Sequence, residues 1–221
     1  MHLLRRYAPL VALAVLVTAT SCKSDAKATA TKPLATFSTP PARAGYHGVI
    51  DSVIKTRPEF LLTDTKGRAF DFTAKTGGKP TLLYFGYTNC PDECPTTLHD
   101  LHAALKLVPA AVRDKIIVVF VTTDPKRDTP LVLSRYLQTF DSTFIGLTGS
   151  ASQIAAAETA VGVPLAAADP KAPLPKGGYS VSHAAVLVAY DTADRNPVLY
   201  PSGTSVETYA ADLPLLAKEH Q

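Results

Sequence analysis

The chain has 221 residues, a formal charge of +3 and three cysteines. Its basic residues are scattered and form no Lys/Arg stripe, which excludes the electrostatic footprint of a nucleic-acid binder. Three cysteines are too few for a disulfide-stapled scaffold, and a chain of this length can hold its fold on a hydrophobic core.

Residues 1–21 read as an export signal. Arg5 and Arg6 give a positive start, residues 7–21 carry no charge, and residues 10–17 are wholly apolar. That apolar run is shorter than the ~20 residues a membrane-spanning helix needs. Ala19-Thr20-Ser21-Cys22 resembles the lipobox of bacterial lipoproteins, although that family prefers Leu where Ala19 stands. The resemblance implies lipidation of Cys22; ordinary cleavage with Cys22 left free, or an uncleaved anchor, is the alternative. Residues 22–44 are rich in Ala, Thr, Lys, Ser and Pro and read as a flexible tether without a core. Residues 45–221 suit one domain. The expectation is an exported protein held at the outer face of the plasma membrane.

Within the domain, residues 60–63 and 69–72 flank Asp64-Thr65-Lys66-Gly67 and predict a hairpin. Residues 81–85 form a short apolar run, the mark of a strand buried on both faces. Residues 86–95 have loop chemistry. From Thr96, apolar residues recur at helical spacing to Val108. Residues 116–122 predict a second buried strand. A helix opens at Asp128-Thr129-Pro130 and runs to about Phe140, with Asp128 or Thr129 as its cap. Residues 144–147 predict a brief strand, and Ser150 with Gln153 a capping box for a helix to about Val161. Residues 169–178 are rich in Pro, Lys and Gly and predict an exposed loop. Val181 and residues 184–190 predict another strand, with residues 197–200 as its hairpin partner. Thr204 and Glu207 predict a capping box for a last helix to about Ala217. Strands alternating with helices give an α/β layered domain. The element order is that of a thioredoxin-like fold, a central mixed sheet flanked by helices, with an N-terminal hairpin and a hairpin near the C-terminus.

The chemistry centres on Cys90 and Cys94, between a buried strand and a helix start. A helix N-terminus carries partial positive charge and unpaired N–H groups, and both favour thiolate over thiol. In a helical turn, residues four apart have Cα atoms about 6 Å apart, within disulfide range and close enough for two sulfurs to grip one ion. The spacing therefore permits a reversible disulfide or a thiolate metal site. A static local disulfide is a third reading, though so short a loop constrains the unfolded chain little. Thiolates select Cu(I), zinc or iron–sulfur clusters. Structural zinc usually takes four protein ligands, whereas two thiolates and one imidazole suit copper. Among the histidines, His2 lies in the signal, His220 at the tail and His47 before the first hairpin. His99 and His102 read as solvated helix residues. His183 opens an apolar strand after the Gly-rich segment, where it is either a ligand or a structural histidine.

Three segments carry a family likeness. Residues 86–98, containing Cys90-Pro91-Asp92-Glu93-Cys94-Pro95, resemble the CPxxCP signature of the SCO/SenC proteins. Residues 124–130 are similar to that family's D-P-x-R-D-T-P motif. Ser182-His183 before an apolar strand looks like its copper histidine, with Ser182 where many members have Asp. The likeness covers residues 45–217. It implies a thioredoxin-like domain binding one copper ion through Cys90, Cys94 and His183. It also implies a role in assembling the dinuclear copper centre of cytochrome c oxidase, as copper donor or as thiol reductant. The implied partners are the oxidase's copper-bearing subunit and other copper chaperones or thiol reductants, met by a monomeric binding and transfer protein rather than a classical enzyme. Asp124 and Arg127 are expected to support the cysteine loop and not to touch the metal.

Overall fold

Apolar side chains on both faces of a strand demand cover on both sides, and two strands here have that character. Thr81–Gly86 is buried throughout, and Ile117–Thr122 almost throughout. The computed structural model describes residues 45–51, 56–174, 178–195 and 197–219. The signal, Cys22, the tether, His2 and His220 lie outside the described residues. The strands are β1 (Val49–Ile50), β2 (Leu61–Asp64), β3 (Ala69–Asp71), β4 (Thr81–Gly86), β5 (Ile117–Thr122), β6 (Ile145–Thr148), β7 (Ala167–Pro173), β8 (Tyr179–Ser182), β9 (Val186–Tyr190) and β10 (Val198–Pro201). The helices are α1 (Phe72–Thr76), α2 (Glu93–Leu107), α3 (Ala110–Arg113), α4 (Pro130–Gln138), α5 (Ala151–Val161) and α6 (Val206–Leu216). Among the described residues no helix is long and apolar enough to cross a membrane.

Eight strands form one mixed sheet in the order β1-β10-β9-β4-β5-β6-β2-β3, and β7 and β8 pair as a separate ribbon. β4, β5 and β6 are parallel, with Tyr84 opposite Phe120 and Gly86 opposite Thr122. β9 runs antiparallel to β4, and β10 to β9. Side chains alternate across the sheet with period two. Leu82, Tyr84, Val118, Phe120 and Leu187 therefore share one face with the buried sides of α2, α4 and α6. Leu83, Phe85, Val119, Val121 and Val188 share the other with α5 and Phe72. The two parallel crossovers, through α2 and through α4, lie over the same face, as crossovers of one hand stepping in one direction across a sheet must.

The expected N-terminal hairpin forms as β2–β3, with Gly67 at φ +76° in its turn. Several boundaries differ from expectation. α2 begins at Glu93 instead of Thr96, which puts Cys94 inside the first helical turn. Short helices α1 and α3 occupy segments read as strand end and linker. The first half of the segment expected to be an exposed loop, residues 169–173, belongs to β7, which pairs with β8 in a register that is irregular between Asp169 and Pro173. Pro, Lys and Gly concealed it because a two-stranded exposed ribbon needs no apolar alternation. Val181 belongs to β8, so the strand expected through residues 181–190 is two strands with His183 between them. The last helix is capped by Ser205, which accepts from Thr208 N, because the Thr204 hydroxyl donates to the Pro201 carbonyl instead.

Candidate metal centre

β4 and α2 place the two sulfurs. Cys90 lies in the turn after β4, its N–H donating to the Tyr87 carbonyl at 3.1 Å. Cys94, one helical turn on, is fully buried and faces the core beneath α2. Its backbone N–H donates to the Cys90 sulfur at 3.4 Å, so an unpaired amide of the helix N-terminus serves that sulfur directly. Neither cysteine is joined in a disulfide.

His183 arrives from the far side, in the connection between β8 and β9. Its ring packs edge-on against Tyr87 and Tyr84, with centroids 5.7 and 6.1 Å away. Nδ1 donates to the Ala184 carbonyl at 3.3 Å, which turns Nε2 toward the sulfurs. Nε2 lies 3.8 Å from Cys90 Sγ and 3.5 Å from Cys94 Sγ. The three donor atoms all fall within 4.8 Å of one another. Donors bound to one ion through bonds of about 2.0–2.3 Å stand roughly 3.3–4 Å apart. The donor set therefore fits a single soft metal ion with little rearrangement.

Charge is shared unevenly in the group. The hydrogen bond from the Cys94 thiol, against the opposing effect of burial and with help from His183 and the Cys94 amide, pulls the Cys90 pKa down to about 4. Burial, reinforced by the neighbouring Cys90 thiolate, pushes the Cys94 thiol far upward. Burial works against charge on His183, but the Cys90 sulfur outweighs it and raises that pKa. Without metal, the group is thus one thiolate, one thiol and an imidazole biased toward imidazolium. The Tyr84 hydroxyl is buried without a full hydrogen bond, beside Cys94 and Thr97, and burial holds the phenol neutral.

The segment after β5 serves both sides of the group. Asp128, fully buried, accepts from Thr88 N at 2.9 Å and Thr88 Oγ1 at 2.6 Å in the cysteine loop, and from Thr122 Oγ1 at 2.7 Å. Thr129 alone caps α4. Arg127 and Asp124, expected to support the cysteine loop, pair with each other and reach the β8 strand, and the Arg127 guanidinium also lies 5.6 Å from the ring of Tyr87 in that loop. Arg127 Nη1 donates to the Tyr179 carbonyl at 2.9 Å, and the Tyr179 hydroxyl donates to Asp124 at 2.9 Å. The other histidines stay outside the group. His99 is exposed beside Asp100, His102 is partly exposed and pairs with Asp141 at 3.1 Å, and His47 pairs with Asp212. Sequence reasoning missed Tyr84, Tyr87, Tyr179 and the loop contact of Asp128. Tyr84 in a buried strand reads as core, Tyr87 lies in the cysteine loop and Tyr179 follows the Pro-, Lys- and Gly-rich segment, and nothing in their spacing marks them as parts of the site.

A mixed sheet with a dithiol at the start of α2 and an imidazole brought against it defines a thioredoxin-like protein whose cysteines are arranged to share a metal ion. The SCO1/SenC family model matches residues 51–218. Over 111 residues the chain is 41% identical to an SCO2-like protein of Rickettsia felis, a match covering 50% of this chain and 53% of that one, so it spans about half that relative's length. It is similar to the structure of Bradyrhizobium japonicum ScoI with copper bound, at 35% identity and TM-score 0.62, covering 72% of this chain and 97% of that one. It is also similar to the apo Sco1 protein of Thermus thermophilus, at 31% identity and TM-score 0.67, covering 79% and 99%. The chain belongs to the SCO1/SenC family, and its fold is the thioredoxin-like fold of those neighbours.

Proposed function

We propose that this protein binds one copper ion through Cys90, Cys94 and His183 and assists assembly of the dinuclear copper centre of cytochrome c oxidase. The observation that carries the reading is the meeting of two sulfurs and an imidazole Nε2 at one point, with Nδ1 engaged by a backbone carbonyl. Two soft thiolates and one imidazole favour copper over harder ions. The copper-bound relative from Bradyrhizobium supports the choice of metal, and family membership supports the oxidase role. We place the domain outside the cytoplasm. Residues 1–21 act as a signal, Cys22 carries lipid, and residues 22–44 tether the domain to the membrane surface. This reading rests on the Arg5-Arg6 start, the apolar run and the Ala19-Thr20-Ser21-Cys22 sequence. The copper-bearing subunit of the oxidase is the partner.

A second activity is favoured by the unequal thiols. A half-exposed Cys90 thiolate beside a buried Cys94 thiol is the arrangement in which one sulfur attacks a partner's disulfide and the other resolves the mixed disulfide. Reduction of the oxidase's own cysteines would use it, and the resulting Cys90–Cys94 disulfide would close the site to copper.

Reduced protein should take up one copper per chain, with sulfur-to-copper charge-transfer absorption for Cu(II). His183→Ala should weaken binding and leave the fold intact; undiminished affinity in that variant removes the three-ligand reading. In the native host, deletion should lower cytochrome c oxidase activity, and Cys90→Ser, Cys94→Ser or His183→Ala should fail to restore it. Normal oxidase activity in the deletion strain would defeat the assembly role.

A further inference from the structure

His183 lies between two strands with different anchorage. On its C-terminal side β9 pairs with β4, the strand that leads into the cysteine loop, so that side is fixed by the main sheet. On its N-terminal side β8 pairs only with β7, outside that sheet. An exposed two-stranded ribbon is at best marginally stable alone. Something further must therefore hold the β8 side of His183 against the site.

The turn after β5 touches both the cysteine loop and β8 within five residues. It is itself anchored to the end of β4, where Thr123 N donates to the Gly86 carbonyl at 2.7 Å. It closes on itself through Asp128 N to the Asp124 carbonyl at 2.9 Å. From this anchored turn, Asp128 reaches one way and holds Thr88, two residues before Cys90, through backbone and hydroxyl together. Arg127 and Asp124 reach the other way and grip Tyr179, four residues before His183. The guanidinium carbon lies over the Tyr179 ring, 3.7 Å from its centroid, while Nη1 donates to the Tyr179 carbonyl and the Tyr179 hydroxyl donates to Asp124. Gly178 makes room for this grip. A Cβ there would stand 3.2 Å from Arg127 Nη1, on a backbone at φ +93° that side chains rarely adopt. The same guanidinium lies 5.6 Å from the Tyr87 ring, which itself packs against His183. On the β7 side the buried Glu158 carboxylate accepts from Ala166 N at 3.2 Å, next to Ala167, the residue paired with Ser182.

We infer that residues 124–128 act as a bracket: Asp128 positions the cysteine loop, Arg127 with Asp124 positions the β8 side of His183 through Tyr179, and this turn of chain complements the β4–β9 pairing in setting the distance between the sulfur and imidazole donors. The inference rests on the proposed metal site and deepens it, since Arg127 becomes a positioning residue that touches no metal and acts through His183. A planar fork that stacks and donates at once is chemistry lysine does not reproduce.

The test is a double-mutant cycle, read by competition with a colorimetric Cu(I) chelator and by the Cu(II) charge-transfer spectrum. Arg127→Ala should bind one copper about 10-fold or more weaker, a loss of ~1.4 kcal/mol, with its spectrum displaced toward that of His183→Ala. In the His183→Ala background the same change should have less than about 2-fold effect. Asp128→Asn should weaken both backgrounds alike, because it acts on the sulfur side. Arg127→Lys should behave as Arg127→Ala, and Tyr179→Phe, which keeps the ring and loses the hydroxyl, should fall between Arg127→Ala and wild type. In metal-free protein, Arg127→Ala and Tyr179→Phe should speed amide exchange in β7 and β8 and leave β4 and β5 unchanged. That readout separates failure of the bracket from failure of the copper reading, since it needs no metal. Wild-type copper affinity and spectrum in folded Arg127→Ala, or full additivity with His183→Ala, would overturn the inference. Unchanged ribbon exchange in both variants would overturn it as well.

Discussion

Gly86 ends β4 directly against Cys94: a methyl group on Gly86 would stand 2.6 Å from the Cys94 sulfur and 3.0 Å from two ring atoms of Phe120. The sulfur occupies the space that a side chain on the last residue of the strand would fill. Gly86→Ala should therefore overpack the site. Forced shifts in a packed core cost about 1–3 kcal/mol, and each kcal/mol lowers the melting temperature of a domain this size by roughly 2–4 °C. Circular dichroism should record that drop, and copper titration should show weaker binding because the sulfur must move. An alanine variant with wild-type melting and affinity would show that the sulfur has room the packing does not reveal.

The unequal thiols predict an unequal pH response. Cys90 should be alkylated well below pH 7, with a rate profile that breaks near its lowered pKa of about 4, while buried Cys94 stays unmodified. His183→Ala should move that break upward, because His183 is one of the groups that lower it. The sign for stability follows from proton counts. Between pH 4 and the ordinary thiol value of 9.0 the unfolded chain keeps a proton on Cys90 that the folded protein has lost. Stability from this group therefore rises with pH across that window and is lost as pH falls through about 4. Cys94, whose pKa is raised, opposes only above 9.0. A Cys90 profile like that of a free cysteine, losing rate below pH 8, would contradict the thiolate assignment.

Asp212 offers a test of stability separate from the metal group. It is fully buried on α6 and accepts from the backbone N–H groups of His47 and Gly48, from the His47 ring and from the Tyr200 hydroxyl at 2.9 Å. It thereby ties the start of the described domain to the last helix. Asp212→Ala strands one buried donor, the Tyr200 hydroxyl, at a cost of about 1–3 kcal/mol, while the part-buried His47 and Gly48 groups stay within reach of water. A loss of roughly 1–3 kcal/mol should appear in urea unfolding, with copper affinity of the folded protein unchanged. A loss within about 0.5 kcal/mol, the range of ordinary surface substitutions, would mean that water replaces the carboxylate.

The main sheet was legible because its signals are local. Residues 81–85 and 116–122 are apolar on both faces, and the Ser150–Gln153 capping box is read directly from spacing; both cysteines were visible for the same reason. The role of His183 was not readable from residues alone, since 89 positions separate it from Cys94 and only the family likeness joined them. The β7–β8 ribbon was hidden by its composition. Arg127 and Asp124 hydrogen-bond to it and Glu158 to the residue beside it, all three distant in sequence, and among the described side chains of the ribbon only Val181 is buried. Asp128 reads locally as a helix cap, and only the tertiary fold brings Thr88 within its reach and leaves the cap to Thr129.

Metal capture must displace the protons that the free group holds. Ligating sulfur is thiolate and ligating imidazole is neutral. Cys90 is already deprotonated above its pKa of about 4, so it contributes no proton at neutral pH. Cys94 is held as a thiol by burial and by its neighbour, and should release about one proton at every accessible pH. His183, with its pKa raised by the Cys90 sulfur against the effect of burial, gives up a second proton wherever it is imidazolium. Release per copper should therefore stay near one in alkaline solution and climb toward two as pH falls through the His183 titration. Calorimetric titration of anaerobic reduced protein in buffers of different ionisation enthalpy measures the count directly. His183→Ala should hold it near one throughout, while Cys94→Ser should remove the alkaline component. Two protons released by wild type in alkaline solution would mean that Cys90 also arrives protonated. The helix N-terminus and His183 would then not hold a standing thiolate, and copper itself would have to create both.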